Sequence, residues 1–296
     1  MAEHFVRAPE WTWWILFYFF FAGIAGGAYV LSTLLRLSGD ARDEAAARIG
    51  FYVSLVAVVI CPILLTADLG VSWNRFWHML VNVTPGDSGL NFKYWSPMSV
   101  GAWALLVFGF FAFVSALDAR VRFIPMFINR VFNILGSLVG LFIASYTGVL
   151  LSVSNQPVWS DTWALGGLFL ASGLGGAAAV IALLIRNRPE ASFSLGRLHE
   201  ADGYFGILEL ILIIVFFVTV GNQGTLSRVL AFLPLWALAI AGLAASLVAA
   251  RGKMRLRAGG GGTATVAGLH IDTVVVSILV LVGVLALRGA VIFSAQ

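Results

Sequence analysis

The sequence predicts an all-α integral membrane protein with eight transmembrane helices. Sixty per cent of its 296 residues are hydrophobic and 11% are charged, whereas soluble domains average about 25% charged residues. The apolar residues form runs near the roughly 20 residues that a spanning helix needs, and these runs lack the alternation of membrane β-strands. We predict spans at 12–36, 48–69, 97–117, 130–152, 163–186, 201–221, 229–250 and 270–293.

The first apolar run and the cysteine content exclude several classes of protein. The first apolar run is longer than the apolar region of a signal peptide, so we expect no cleavable signal peptide. Cys61 is the only cysteine. A single cysteine excludes an intrachain disulfide, an iron–sulfur cluster and c-type haem attachment within this polypeptide.

Basic residues are distributed unevenly between the two faces that eight spans create. The termini face carries both ends of the polypeptide and the loops 70–96, 153–162 and 222–228, and the other four loops form the basic face. Of the 18 Lys and Arg residues, five are assigned to the termini face: Arg7, Arg75, Lys93, Arg228 and Arg288. The remaining 13 are on the basic face: Arg36, Arg42, Arg48, Arg120, Arg122, Arg130, Arg186, Arg188, Arg197, Arg251, Lys253, Arg255 and Arg257. The positive-inside rule makes the basic face cytoplasmic, which places both termini in the periplasm of a bacterium.

The two halves of the sequence share similar small-residue motifs. Residues 20–28 read FFAGIAGGA and residues 169–177 read FLASGLGGA, with an offset of 149 positions. Four helices separate the motifs, so the halves are predicted to be parallel. We predict two four-helix bundles, 1–155 and 156–296. The alternative is that small residues recur wherever membrane helices pack closely, without any duplication.

The loop 70–96 is the longest predicted connection and is rich in aromatic residues. These residues suit an interfacial aromatic belt or a docking surface for a partner protein, since aromatics and Arg are enriched at protein interfaces. A connection of this length usually has a function. The candidate docking residues are Arg75, Trp77, His78, Lys93 and Trp95.

Polar side chains from three predicted spans are expected near the termini face. Asp68 ends the second span, Trp14 and Tyr18 lie early in the first, and Tyr146 and Thr147 lie late in the fourth. Hydroxyl and carboxyl groups in an aromatic-walled cavity suit a quinone, whose carbonyls need hydrogen-bond donors. Alternatively, Asp68 pairs with Arg75 or caps a helix, and the tyrosines belong to the aromatic belt.

Other ionisable residues suggest proton transfer. Asp202 and Glu209 are seven residues apart and share one face of the sixth span, where they suit either a proton path from the basic face or a structural pair. His78 suits a proton carrier at the termini face. His199 and His270 open two spans at the basic face, where a bis-His haem site is conceivable. No metal site is predicted.

Several segments together resemble the NrfD/PsrC family of membrane subunits. They are the motif at 20–28, Ala67-Asp68-Leu69-Gly70, Arg75-Phe76-Trp77-His78-Met79-Leu80, the stretch from Trp95 to Trp103, and Tyr146-Thr147-Gly148-Val149-Leu150-Leu151 with Asn155. The resemblance implies a haem-free, quinone-reactive anchor for menaquinone or ubiquinone in the bacterial inner membrane. It also implies docking of a four-cluster iron–sulfur subunit, which is linked to a molybdopterin or multihaem cytochrome catalytic subunit. By this match, Tyr146 is a ligand of the quinone headgroup.

The sequence departs from that family at one place. Some members carry Asn and His in the first span at positions that are Ile15 and Tyr18 here. A phenol donates a hydrogen bond but does not shuttle a proton near neutral pH, so the proton role would pass to Asp68 or His78. The alternatives to a quinone-reactive anchor are a proton-coupled secondary transporter and a b-haem cytochrome subunit. No nucleic-acid partner is expected.

Overall fold

The computed structural model describes residues 9–70, 73–86, 89–251, 253–256, 262–266 and 269–296. Within these residues, eight helices are long and apolar enough to cross a membrane. They are α1 (Trp13–Leu37), α2 (Glu44–Asp68), α3 (Pro97–Val121), α4 (Met126–Ser152), α5 (Leu165–Ile185), α6 (Ser192–Gln223), α8 (Leu233–Arg251) and α9 (Thr273–Phe293). The predicted class, a helical membrane protein with eight spans, is confirmed.

The connections contain short elements that we did not predict. One-turn or two-turn 3₁₀ helices occupy Ala41–Asp43, Trp73–Met79 and Pro189–Ala191, and the short helix α7 spans Leu226–Leu230. Two antiparallel sheets are also present. One pairs β1 (Val81–Asn82) with β2 (Gly89–Leu90), and the other has the order β3 (Lys253–Leu256), β4 (Gly262–Val266), β5 (Leu269–Asp272). All these elements lie before, after or between the eight long α-helices.

Five predicted spans start three to nine residues from the start of the corresponding helix. The predicted starts 48, 130, 201, 229 and 270 correspond to helices that begin at Glu44, Met126, Ser192, Leu233 and Thr273. The helix α6 begins at Ser192 rather than at 201. The prediction missed its first turns because Ser192, Ser194, Arg197, His199 and Glu200 lower the local hydropathy there. His199 is therefore not at the start of a span but about two turns inside a helix. The helix α9 begins at Thr273, and the Asp272 carboxylate caps it by accepting a hydrogen bond from the Val274 amide at 3.0 Å. His270 consequently lies in β5 and does not open a span.

The helices α1 and α5 form the centre of the molecule and are the most buried spans among those described. The helix α1 contacts α2, α4 and α5, and α5 in turn contacts α4, α6 and α9. Glycines allow the close approaches. A Cβ added to Gly26 would overlap the Gly140 carbonyl oxygen, and one added to Gly27 would lie 2.7 Å from that of Gly173. The two similar motifs thus pack against each other, as small residues do between membrane helices.

A series of hydrogen-bonded polar side chains runs through α1, α3 and α4 toward the basic face. The Tyr29 and Ser115 hydroxyls lie 2.7 Å apart, and Ser115 donates to the Asn133 Oδ1 at 2.9 Å. The Asn133 amide donates to the Asn129 Oδ1 at 2.8 Å, and Asn129 donates to Asp118 at 2.5 Å. Mutual hydrogen bonds allow these groups to remain in an apolar interior.

Arg288 was wrongly assigned to the termini face. Its side chain is fully buried in α9, at the junction with α1 and α5. The guanidinium donates to the carbonyl oxygens of Phe19 and Phe169, both at 3.2 Å, and to the Ser172 hydroxyl at 2.9 Å. It occupies space beside Gly23, where a Cβ would overlap it. Excluding Arg288 leaves 4 basic residues assigned to the termini face instead of 5, so the charge asymmetry becomes stronger.

Candidate functional site

Two tyrosines and a cysteine from three helices come together inside the first half of the protein. Tyr18 of α1 and Tyr146 of α4 are 4% and 6% exposed, and Cys61 of α2 is fully buried. Tyr18 lies within electrostatic range of both Cys61 and Tyr146. Tyr18 and Tyr146 were predicted to share one depth, and the fold brings them together. Cys61 completes the cluster although its sequence position attracted no prediction.

The position of Tyr146 is set by the first turn of α3. Its hydroxyl donates a hydrogen bond to the Pro97 carbonyl oxygen at 2.5 Å. Its ring packs directly on Gly101, where a Cβ would overlap the phenol, and stacks on Phe142 with a centroid distance of 5.5 Å. The Ser96 hydroxyl caps α3, and proline occupies the first position of that helix, where its missing N–H costs nothing. The loop 70–96 therefore ends next to the residue that binds Tyr146.

The cluster has hydrogen-bonding capacity that the described residues do not use. The Thr147 hydroxyl is buried and has no hydrogen-bond partner among the described residues. The Tyr18 hydroxyl likewise forms no hydrogen bond within the described part of the protein. Buried polar groups in proteins are almost always paired. Hydroxyl groups of this kind can donate hydrogen bonds to the carbonyl oxygens of a ligand.

Asp68 lies farther toward the termini face than the tyrosines. It is the last residue of α2, seven residues beyond Cys61, or about 10 Å along the helix. Its carboxylate accepts a hydrogen bond from Thr12 at 3.3 Å, and no ion pair with Arg75 occurs among the described residues. The expectation that Asp68, Tyr18 and Tyr146 share one depth is therefore corrected. Trp14 is 49% exposed, beyond the cluster.

The loop 70–96 is attached to the start of α3 and presents aromatic side chains outward. The Asn91 carbonyl oxygen accepts hydrogen bonds from Ser99 at 3.2 Å and from the Trp103 indole at 3.3 Å, and the Asn91 amide donates to the His78 carbonyl oxygen at 2.9 Å. His78 itself is partly buried against Trp77. The other four candidate docking residues are exposed: Arg75, Trp77, Lys93 and Trp95.

The candidate proton-transfer residues Asp202 and Glu209 are both buried in α6, in the second half of the protein. The Asp202 carboxyl packs against Gly175 of α5, and the Ser246 hydroxyl donates to the Asp202 carbonyl oxygen at 3.2 Å. Glu209 lies within electrostatic range of the Arg288 guanidinium, but the two do not form an ion pair within 4 Å. These acids lie in a different half of the protein from Tyr18 and Tyr146.

Comparison with known proteins identifies the family. Residues 2–243 match the sequence profile of the family described as "Polysulphide reductase, NrfD". The chain belongs to the NrfD family. It is 26% identical to "Protein NrfD" of Escherichia coli (strain K12) over 268 residues, which represent 78% of each sequence. It is 25% identical to one of the chains of polysulfide reductase from Wolinella succinogenes over 235 residues, which represent 72% of this sequence and 71% of the other.

A third relative of this NrfD-family protein matches over a shorter length. One of the subunits of selenate reductase from Mesobacillus selenatarsenatis is 28% identical over 78 residues, which represent 26% of this sequence and 18% of the other. By their names, the Mesobacillus protein and the Wolinella protein are parts of reductases. Both the family assignment and the transmembrane character predicted from the sequence are thereby confirmed.

Three residues of this NrfD-family protein emerge only from the structure. Cys61 lies within electrostatic range of Tyr18, Thr12 donates a hydrogen bond to Asp68, and Arg288 joins α1, α5 and α9. A sequence signal existed for one of them. Arg288 is the only charged residue between Thr273 and Phe293, and an arginine in a spanning segment is expected to face the interior of the bundle.

Proposed function

We propose that this protein is the quinone-reactive membrane subunit of a multisubunit respiratory oxidoreductase. It would pass electrons between an extrinsic iron–sulfur subunit and menaquinone or ubiquinone. The observation that carries the proposal is the hydrogen bond from Tyr146 to Pro97. This bond joins the buried cluster to the end of the exposed, aromatic loop 70–96. The start of α3 therefore links the proposed quinone site to the proposed docking surface.

Tyr18 and Thr147 are the residues proposed to hold the quinone headgroup. The Thr147 hydroxyl is buried without a partner among the described residues, and the hydroxyls of both residues can donate to carbonyl oxygens. Tyr146 would position the headgroup against α3, and Trp14 would lie at the entrance to the site. A bound quinone supplies two-electron, two-proton redox chemistry. The protein would bind the headgroup, orient it and exclude water from it.

The exposed side chains of the loop 70–96 are the proposed docking surface. Arg75 and Lys93 supply positive charge, and Trp77 and Trp95 supply aromatic contact area, which is the composition enriched at protein interfaces. The proposed partner is a four-cluster iron–sulfur subunit, connected to a molybdopterin or multihaem cytochrome catalytic subunit. The relatives named as parts of reductases support such an assembly. The protein itself is proposed to hold no haem, and with one cysteine it is proposed to hold no iron–sulfur cluster.

The proposed location is the bacterial inner membrane, with the basic face in the cytoplasm and both termini in the periplasm. The excess of basic residues on one face supports this orientation. Residues 1–155 and 156–296 would form two parallel four-helix bundles. The contacts of α1 with α2 and α4, and of α5 with α6 and α9, support that division.

Proton transfer is proposed at two places. Asp68 and His78 lie near the termini face, where they could exchange protons between the quinone and the periplasm. Asp202 and Glu209 lie inside the second half, where they could form part of a path from the cytoplasm. Intramembrane acids of this kind are functional candidates by default because their burial is costly.

The proposal is tested by binding and turnover in the assembled complex. A fluorescent quinone-analogue inhibitor is titrated against the wild type and Tyr18→Phe, with Tyr94→Phe as the control, since Tyr94 is exposed in the docking loop. We expect Tyr18→Phe to weaken binding about tenfold, the effect of one lost hydrogen bond of about 1.4 kcal/mol, and Tyr94→Phe to leave it unchanged. Equal binding by both variants would contradict the quinone site. Purification without any iron–sulfur subunit would contradict the proposed partner.

A further inference from the structure

A cavity opens between α6 and α8 at the basic face, far from the tyrosine cluster. Its volume is about 690 Å³, within the range of roughly 300–1,000 Å³ typical of small-molecule sites. One end is lined by Arg197, His199 and Arg251, and the other by Tyr204, Ile207 and Leu247. The cavity therefore has a cationic end and an apolar end.

The polar end offers donors that the described residues leave unused. His199 is buried, with 5% of its surface exposed. Its Nε2 has no hydrogen-bond partner among the described residues. Arg197 uses one terminal nitrogen to pair with the fully buried Asp43, which leaves the rest of its guanidinium available. Arg251 is exposed and forms no ion pair within the described part of the protein. This end therefore suits an anion with several acceptor oxygens.

Side chains at the apolar end are exposed on the surface of α6. Tyr204 is 65% exposed and Ile207 is 50% exposed, and both lie on the membrane-spanning part of α6. A small soluble anion would contact only the polar end and leave these side chains uncovered. A molecule with an anionic head and hydrocarbon tails would contact both ends, and basic pockets between transmembrane helices are known to bind such lipids.

We propose that this cavity binds an anionic phospholipid, such as phosphatidylglycerol or cardiolipin. The phosphate would accept hydrogen bonds from Arg251, Arg197 and His199, and the acyl tails would lie along Tyr204 and Ile207. Glu200 also lines the cavity, so phosphatidylglycerol, with one phosphate, would be favoured over cardiolipin, with two. The lipid would stabilise the contact between α6 and α8, where a Cβ added to Gly203 would overlap Ala250. This inference does not depend on the proposed quinone chemistry.

The test uses the full-length protein in nanodiscs of phosphatidylcholine. Phosphatidylglycerol or cardiolipin is added stepwise, and bound lipid and Tm are measured by native mass spectrometry and thermal unfolding. The variants are Arg251→Gln, with Arg251→Lys as the conservative replacement, and Arg120→Gln as the control, since Arg120 is exposed at the end of α3. Inorganic phosphate at matched concentration is a separate arm that distinguishes a lipid site from a free-phosphate site.

We expect the wild type and Arg120→Gln to retain anionic lipid and to rise in Tm with it. Arg251→Gln should bind it about tenfold more weakly, for the loss of one charge-assisted hydrogen bond, and Arg251→Lys should recover part of that loss. His199→Phe, which removes the unpaired nitrogen, should weaken binding in the same direction. An equal lipid response in Arg251→Gln and the wild type, equal retention of phosphatidylcholine, or the same rise in Tm with inorganic phosphate alone would each overturn the proposal.

Discussion

The Tyr146 hydroxyl donates its hydrogen bond to the Pro97 carbonyl oxygen at 2.5 Å, so its proton is already in use. Tyr18, in the same cluster, has a hydroxyl with no partner among the described residues. The two tyrosines therefore differ in what they can offer a ligand, although the sequence analysis assigned both to one candidate site. Tyr146 positions the first turn of α3, and Tyr18 is the available donor.

Tyr146→Phe should weaken binding of a quinone analogue less than Tyr18→Phe does, because the Tyr146 proton is committed to Pro97. The variant should instead lower the free energy of unfolding by about 1–3 kcal/mol, since the Pro97 carbonyl oxygen loses its partner. Binding titrations and urea unfolding in detergent measure the two effects. A larger loss of binding in Tyr146→Phe would show that Tyr146, rather than Tyr18, is the main donor.

Asp68→Asn should slow quinone-linked turnover of the assembled complex about tenfold. This is below the roughly hundredfold effect of an enclosed general acid or base, because water reaches this partly buried carboxyl group. Asp68→Glu keeps a carboxyl group and should retain most of the activity. Turnover is followed by the absorbance change of the quinol. Unchanged turnover in Asp68→Asn would remove Asp68 from the proton path.

Arg288→Leu should destabilise the protein by at least about 1–3 kcal/mol, because the carbonyl oxygens of Phe19 and Phe169 lose their donor inside the membrane. Arg288→Lys should recover only part of this, since an ammonium lacks the planar fork that reaches several acceptors. Thermal unfolding in nanodiscs measures both variants. Equal stability of Arg288→Leu and the wild type would mean that the guanidinium does not hold α1, α5 and α9 together.

Gly26→Ala should lower the free energy of unfolding by about 1–3 kcal/mol, because its Cβ would overlap the Gly140 carbonyl oxygen and force α1 away from α4. Gly109→Ala is the matched control. A Cβ at Gly109 meets no atom within 4 Å, and alanine favours the helix by about 1 kcal/mol. The two substitutions should therefore shift Tm in opposite directions, and shifts of the same sign would contradict the close packing of α1 on α4.

Asn133→Leu should destabilise the first half by about 1–2 kcal/mol, because hydrogen bonds in membrane proteins contribute about 0.6 kcal/mol on average and Asn133 bonds both Ser115 and Asn129. Ser137→Ala on the same helix is the control, since the Ser137 hydroxyl has no partner among the described residues. Unfolding in detergent compares the two. A cost for Ser137→Ala as large as that for Asn133→Leu would argue against a specific network.

Much of the architecture could be predicted because hydropathy reports burial in lipid directly. The spans, the outward aromatic loop and the proximity of Tyr18 to Tyr146 all follow from helix length and depth. The start of α6 could not be predicted in the same way, since its first turns are half polar and resemble a loop. The depth of Asp68 in the membrane was also predicted wrongly. The position of Asp68 along α2 does not define its depth relative to Tyr18 on α1 and Tyr146 on α4.

The sequence by itself determined the class, the eight spans and the family, because these depend on composition and on short motifs. Only the tertiary structure decided which polar groups are paired. It assigned the proton of Tyr146 to Pro97, left Tyr18 and Thr147 free among the described residues, and moved Arg288 from a predicted surface to the centre of three helices. The physical reason is that a hydrogen bond depends on distances of about 3 Å between helices, and the partner that meets each polar group comes from positions far away in the sequence.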